Sequence, residues 1–447
     1  MSKNIVVIGS GAAGMTAAST ARRNDPDARI VLLTEDEHIA YSPCVIPWAL
    51  EGKTTWEEIV MHEPDYYRRE RGIDVKTLTK VTSVDIDKGI LTAGEEDIPF
   101  DSVVLATGGN VFIPPIPGKD LEGVHVVRTI NDGKAIERAL NDVQEIAVIG
   151  AGVIGLEMAL SLVELGKGVT VVEMMDQVVP RILDSDLAGH VRQYLEDKGV
   201  RFLMGSPIQS VDGDSRVESV TVGGQTVPCG MVIFSTGVRA NLEIPNQIGL
   251  DIGALGGVRV SPSMQPYRKG RLINNVFVCG DVVQCESAIV AGPTMSQLGS
   301  SAVRQGRVAG INAAGGNAMH EGVASPWVSV IGDLQVAGTG ISSGLASWYG
   351  IEVVVGIGKG FSRARYYPGG TPMTVKVIAE KSTGRLIGAQ IISGEDATGR
   401  INWLSAAIIE RVTAGDFISR YENAYCPPTS MVRDVAFAAM EDLVSKL

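Results

Sequence analysis

Basic charge is in deficit in this sequence: 39 lysines and arginines against 51 aspartates and glutamates leave a net charge of −12 over 447 residues. No continuous basic stripe occurs, which excludes the usual nucleic-acid footprint, so an anionic ligand must be met by local arginines and helix ends. Cysteine is scarce too. Cys44, Cys229, Cys279, Cys285 and Cys426 show no Cys-x-x-Cys or metal-type spacing, and their odd number argues against a disulfide framework. A reduced, cytoplasmic setting is expected. No apolar run approaches the ~20 residues of a membrane span, and the first apolar strand starts so close to Met1 that a charged and apolar leader has no room. The expectation is a soluble protein with neither membrane nor nucleic acid as partner.

Against these shortages stands glycine, with 53 residues. Gly9-Ser10-Gly11-Ala12-Ala13-Gly14 and Gly150-Ala151-Gly152-Val153-Ile154-Gly155 share one spacing, each behind an apolar strand (4–8 and 145–149) and ahead of an alanine-rich helix. Each unit closes on a glutamate after a second apolar run, Glu35 and Glu173. Glycines at this spacing let the backbone approach a pyrophosphate at a helix N-terminus, and the closing carboxylate can accept hydrogen bonds from a ribose 2′-OH. The bland alternative is two tight strand-to-helix turns without ligands. It must account for strand, glycines, helix and acid recurring twice in the same order.

The duplication runs further. Val103-Val104-Leu105-Ala106-Thr107-Gly108 and Met231-Val232-Ile233-Phe234-Ser235-Thr236-Gly237 are both short apolar strands ending in Thr-Gly. A third strand, 275–279, ends in Gly280-Asp281 ahead of a small-residue helix expected over 291–314. Turn formers near 114–118 and 241–246 suggest one domain inserted in another. From about 321 the texture turns to strand-like runs at 352–355 and 373–378, then helices at 400–411 and 431–444. The expected fold class is α/β: two Rossmann-like dinucleotide-binding domains, at 1–115 with 244–320 and at 116–243, and a C-terminal α+β domain at 321–447.

Taken with Ala106-Thr107-Gly108, Ser235-Thr236-Gly237 and Val278-Cys279-Gly280-Asp281, the two fingerprints resemble the FAD-dependent pyridine nucleotide-disulfide oxidoreductases along essentially the full chain. The resemblance implies that the first unit holds FAD, through Gly9, Gly11, Ala12, Ala13, Gly14, Glu35, Val81, Ala106, Thr107, Gly108 and Asp281. The second would meet the nicotinamide cofactor through Gly150, Gly152, Val153, Ile154, Gly155, Glu157, Glu173 and Gly237. A carboxylate at Glu173 suits the free 2′-OH of NADH and repels the 2′-phosphate of NADPH, so NADH is favoured, with NADPH left open. The third domain would make a homodimer.

Dithiol members of this superfamily carry two cysteines early in the FAD domain; here Cys44 stands alone, nine residues after Glu35. That resembles the single redox cysteine of the coenzyme A-disulfide reductases, persulfide reductases, NADH oxidases and NADH peroxidases. A lone cysteine must cycle through a mixed disulfide with a substrate thiol or through a sulfenic acid. Oxidases and peroxidases of the group have a histidine in the first glycine turn; Ala12 stands there, and the expected proton carrier is missing. Arg365-Tyr366-Tyr367-Pro368-Gly369 and Ala424-Tyr425-Cys426-Pro427-Pro428 resemble the tyrosine-bearing segments of coenzyme A-disulfide reductases. By that likeness Tyr425 would complete the partner subunit's active site over Cys44, with Tyr367 preferred to Tyr366 for the second role.

The implied reaction passes electrons from NADH through FAD and Cys44 to coenzyme A disulfide or coenzyme A persulfide or polysulfide. Ser42, Arg22 and Arg23 are candidates to bind the substrate, though the arginines also suit a solvated helix end; Arg363 and Arg365 are weaker candidates. Three departures from the family pattern stand out: Pro43-Cys44-Val45 in place of Asn-Cys-Gly, Val153 where an aromatic gate often stands, and Cys426 in place of alanine. Cys426 could form an intersubunit disulfide or be an inert small hydrophobe. The alternatives are an NADH oxidase, and a redox-sensing switch that binds FAD and NADH without turnover.

Overall fold

A computed structural model describes residues 2–447. The chain divides into two compact units. The first runs up to Phe112, takes in 128–134 and resumes over 237–323; the second comprises 113–127, 135–236 and 324–447. No feature of the sequence signalled that 128–134 returns to the first unit.

The first unit is built on a five-stranded parallel sheet in the order Val276–Val278, Ser102–Leu105, Asn4–Ile8, Arg29–Leu33, Ile73–Lys76. Its inner strands read as nearly unbroken apolar runs because both faces are covered, while the edge strand Ile73–Lys76 alternates apolar and charged residues. On one face the helix Ala12–Asn24 lies against the helix Gly299–Ala313, with Ala13, Ala17 and Ala309 buried between them. Only glycine permits that approach: a Cβ on Gly306 would lie 2.3 Å from the Ala13 carbonyl oxygen, and one on Gly310 2.4 Å from that of Ala17. The opposite face carries the antiparallel hairpins of Val81–Asp85, Ile90–Ala93 and Glu96–Pro99, whose Val81, Val84, Leu91 and Ile98 close over Val6, Leu33 and Leu105. The helix expected over 291–314 starts only at Gly299. Ahead of it Gly292, at φ +117°, and Pro293, which lacks an N–H, divert the chain into a short antiparallel pairing with 285–286.

The second unit repeats the parallel plan in the order Arg201–Leu203, Gly168–Val172, Glu145–Ile149, Met231–Phe234, Val124–Val126. It also contains a five-stranded antiparallel sheet ordered Trp327–Ile331, Leu334–Gly340, Leu386–Ser393, Pro372–Glu380, Val353–Phe361. The helices Ala397–Ile409 and Val435–Val444 follow. The second begins four residues later than expected because Asp434 caps it, its carboxylate accepting from the Ala436 N–H at 3.0 Å.

Candidate functional site

The first glycine turn is set by strand pairing. Gly9, at φ +105°, donates its N–H to the Leu33 carbonyl at 2.8 Å, and Ser10 Oγ bonds Thr34 Oγ1 at 3.0 Å. A Cβ on Gly9 would lie 2.2 Å from the Ala106 carbonyl oxygen, and one on Gly14 1.9 Å from that of Gly9, so both are required by close backbone approach. A Cβ on Gly11 would meet nothing within 4 Å, and this N-cap residue makes no side-chain cap. The first helical residues, Ala12 and Ala13, therefore present a helix N-terminus toward open space, which fits a pyrophosphate. Ala106, Thr107 and Gly108 run alongside: Ala106 donates to Ile8 at 2.8 Å and Thr107 Oγ1 to the Asn241 carbonyl at 3.1 Å. Glu35 is exposed, whereas the Val81 side chain is buried in the core, leaving only its backbone available to a ligand.

Asp281 follows Gly280, whose N–H donates to Gln305 Oε1 at 2.8 Å. Its carboxylate pairs with Arg128 at 3.0 Å, and a Cβ on Gly108 would lie 3.5 Å from the same guanidinium. Arg128 belongs to the returning segment and was missed in the sequence. Its backbone is held by Asp132, which accepts from the N–H groups of Arg128 and Thr129 at 3.0 and 2.7 Å, while Thr129 Oγ1 accepts from the Asp132 N–H at 3.2 Å. This reciprocal cap opens the helix Ile130–Ala139, and the Thr-x-x-Asp spacing was its signal.

Cys44 is exposed in a 3₁₀ turn, Pro43–Val45, that continues into the short helix Ile46–Leu50. Ser42 precedes it as an extended residue whose side chain makes no cap. The turn is anchored to the returning segment twice. Ile46 is fully buried beside Gly133, where a Cβ would lie 3.0 Å from Ile46 and 2.4 Å from Trp56. Tyr41 hydrogen-bonds to the Ile130 backbone, and burial together with the Asp36 charge pushes its hydroxyl up to about 12. Burial pushes the Cys229 and Cys279 thiols up to about 12 and that of Cys285 up to about 11, so none of the three supplies a thiolate near neutrality. Cys44 and Cys426 are the exposed cysteines.

The two candidate arginines part company. Arg22 closes on the carbonyls of Pro26 and Gly72 at 2.6 and 2.7 Å, tying one helix end to another, which is the work of a structural side chain. Arg23 stays exposed and donates to Thr20 Oγ1 at 3.1 Å. Through Arg22 the helix end bearing Arg23 is joined to the end of the helix Pro64–Arg71, whose last turn carries Arg68, Arg69 and Arg71.

In the second unit Gly150, at φ +107°, donates to the Val172 carbonyl at 2.8 Å, and Cβ atoms on Gly150 and Gly155 would lie 2.6 Å from the Ser235 and 2.1 Å from the Gly150 carbonyl oxygens. Gly152 again faces open space; Gly237, expected beside it, belongs to the first unit. Val153 and Ile154 open the helix Val153–Glu164, and Ile154 is exposed. Glu173 is buried, its carboxylate accepting from the N–H groups of Ala151 and Met175, each at 2.9 Å. Glu157 lies against the antiparallel sheet, accepting from Ser329 Oγ at 2.5 Å; burial pushes its carboxyl up to about 7, against the downward pull of that hydrogen bond.

Tyr366 and Tyr425 join hydroxyl to hydroxyl. That bond, with some desolvation and the neighbouring phenol, raises the Tyr425 hydroxyl. Tyr367, preferred to Tyr366 in the sequence, lies instead beneath Arg363 at 5.9 Å, and Arg363 is neutralised by Glu395. Arg365 sits over the Phe361 ring at 5.2 Å.

Two glycine cradles on two parallel sheets, with an exposed thiol turn in the first unit, define a flavin- and nicotinamide-dependent oxidoreductase. Residues 3–306 match the pyridine nucleotide-disulphide oxidoreductase family and 326–434 its dimerisation domain, and the chain belongs to that family. It is 43% identical over 450 residues to an NADH oxidase of Methanocaldococcus jannaschii, with 99% of each chain covered. It is 30% identical to the NAD(P)H coenzyme A polysulfide/persulfide reductase of Pyrococcus horikoshii, covering 97% of each. The solved NAD-dependent persulfide reductase from A. fulgidus superposes with a TM-score of 0.94 at 30% identity, over 99% of this chain and 83% of that one. Among the described residues no helix is long and apolar enough to cross a membrane, and no group of histidine, cysteine and carboxylate side chains is arranged to hold a metal ion.

Proposed function

We propose that this flavoprotein reduces a small disulfide, with coenzyme A disulfide or coenzyme A persulfide or polysulfide as the substrate class and Cys44 as the redox sulfur. The observation that carries the reading is Cys44 itself: exposed, on a turn anchored through Ile46 and Tyr41, while Cys229, Cys279 and Cys285 are buried. FAD held at Gly9, Gly11, Gly14, Gly108 and Asp281, and a nicotinamide nucleotide held at Gly150, Gly152, Gly155 and Glu173, supply two-electron transfer when bound.

The Cys44 thiolate attacks one sulfur of the substrate, forming a mixed disulfide and releasing the other sulfur as thiolate or hydrosulfide. Two electrons delivered to the Cys44 sulfur then break the mixed disulfide, restoring the Cys44 thiolate and freeing the second thiol. The Tyr366–Tyr425 pair of a second copy is the proton source for the departing sulfur, Tyr366 taking the place first given to Tyr367. A nucleotide phosphate of the substrate is met by Arg23 with the arginines that end the Pro64–Arg71 helix, Arg22 being spent on backbone carbonyls. NADH is preferred to NADPH on the strength of the Glu173 carboxylate. The protein works as a homodimer in the cytoplasm.

The Methanocaldococcus relative favours a second reading, oxygen reduction by the same chain. Anaerobic NADH oxidation with coenzyme A disulfide, coenzyme A persulfide and glutathione disulfide, beside the same assay in air, separates them. Turnover with a coenzyme A substrate, abolished in Cys44→Ser, is expected. Turnover in air alone, surviving Cys44→Ser, would sink the reductase and leave the oxidase.

A further inference from the structure

The second glycine turn is held from behind by a strap, residues 174–184. At its near end the Ala151 peptide is fixed on both sides. Its N–H donates to Glu173 Oε2 at 2.9 Å and its carbonyl accepts the Val179 N–H at 2.8 Å. Val179 sits at φ +47°, a conformation that a β-branched residue keeps only where its surroundings impose it. The rest of the strap is closed on itself, Leu183 donating its N–H to the Val179 carbonyl at 3.2 Å and its carbonyl accepting from Gln177 Nε2 at 2.9 Å.

The far end is Asp184, and here the strap is anchored in the antiparallel sheet. The Asp184 N–H donates to Gln390 Oε1 at 3.0 Å. Its carboxylate accepts from the Ser343 N–H at 2.9 Å, from Ser343 Oγ at 2.8 Å and from Lys376 Nζ at 2.8 Å. Lys376 also reaches Asp186 at 2.7 Å. Lys376 and Asp184 are 6% and 9% exposed. Burial works to raise the Asp184 carboxyl, but the hydrogen bonds from Lys376 and Ser343 and the ammonium charge outweigh it and hold it below the usual range.

We propose that Lys376 is a positioning residue for the nicotinamide nucleotide, fixing through Asp184 and Val179 the direction in which the Ala151 turn offers its backbone to the pyrophosphate. The inference rests on the reading that the second unit holds that nucleotide. A buried ion pair adds little net stability over an apolar pair of the same volume, so stability alone does not account for placing one here. What it adds is direction. One short ionic contact to Lys376, itself held by Asp186, together with Ser343 and Gln390, leaves Asp184 one position, and the strained Val179 passes that position to the turn.

The test uses the FAD-loaded full chain: NAD⁺ binding by calorimetric titration, with KM for NADH and kcat measured separately, in Lys376→Met, Lys376→Arg and Glu173→Ala. Lys376→Met is expected to weaken NAD⁺ binding about tenfold or more, since small misplacements of a binding group cost up to about 10²-fold. KM should rise far more than kcat falls, and Lys376→Arg should restore most of the loss. Unchanged NAD⁺ affinity in Lys376→Met, with Glu173→Ala impaired, overturns the role of Lys376 and leaves the cofactor reading standing. No effect of Glu173→Ala overturns both. If Lys376→Met does not fold, Ser343→Ala takes its place, removing one charge-assisted hydrogen bond to the Asp184 carboxylate: a weakening of about twofold or more supports the proposal, and wild-type affinity overturns it.

Discussion

The two glycine turns share a backbone and differ in what their acid does. Gly9 and Gly150 donate to the neighbouring strand at the same 2.8 Å and take nearly the same φ, +105° and +107°. In the first turn Glu35 is exposed, and the bracing falls to Ser10 and Thr34. In the second, Glu173 is buried and holds two backbone N–H groups of its own chain. One sequence motif thus covers two physical designs. In the first the carboxylate is free for a ligand; in the second it is also part of the fold, with two of its roughly four lone-pair sites already used.

The comparison can be broken hardest at the glycines. Gly14→Val and Gly155→Val each drive a side chain into a backbone oxygen about 2 Å away and should each cost about 3 kcal/mol or more. The expected split is that Gly14→Val purifies without FAD, while Gly155→Val keeps the flavin absorbance and loses NADH binding. Equal loss of flavin in both would erase the distinction between the units.

Next come the acids. Glu173→Ala strands the N–H of fully buried Ala151, at about 1–3 kcal/mol, while the N–H of exposed Met175 can turn to water, so thermal unfolding and NADH affinity should fall together. Glu35→Ala strands no buried donor, and its unfolding free energy should stay within about 0.5 kcal/mol while FAD affinity drops.

Glu157 gives a smaller effect that depends on pH. Its carboxyl is raised from 4.5 to about 7 in the folded chain, so between those values the native state binds more protons than the unfolded one and stability falls as pH rises. The loss is complete above pH 7 and is on the order of 1–3 kcal/mol. Glu157→Gln removes the ionisation, so its stability relative to the parent should climb between pH 5 and 8 in chemical denaturation. A pH-independent difference would show that Glu157 is not raised. The first unit has no counterpart, since Thr16, and not an acid, stands at the equivalent place two residues after its third fingerprint glycine.

The parts of this molecule that were legible in the sequence are those that depend on local rules. Strands covered on both faces read as apolar runs, and the positive-φ turns of the two fingerprints read as glycine, whereas that at Val179 does not. The Ala12–Asn24 and Val153–Glu164 helices begin at the glycines that announce them. What stayed hidden is the choice of distant partners. Nothing around Arg128 names Asp281, nothing around Lys376 names Asp184, and Tyr366 and Tyr367 are equivalent until the chain turns and offers one of them to Tyr425. The same holds for Arg22 and Arg23, where adjacency in sequence conceals one side chain locked onto carbonyls and one left to solvent.

The alanine-on-glycine contact between the Ala12–Asn24 and Gly299–Ala313 helices has a consequence for how the protein is made. The helix that starts at the first glycine turn finds its mate only after the whole intervening stretch has left the ribosome, and the edge strand Val276–Val278 arrives just before it. At about 5–20 residues per second the nascent first unit waits many seconds with its sheet open on one side. The equilibrium cost of so long an excursion is modest, about 0.6 kcal/mol for each doubling of loop length. The delay is the larger burden: flavin can be captured only late in synthesis, and until then the exposed alanine face is the surface a chaperone would have to guard.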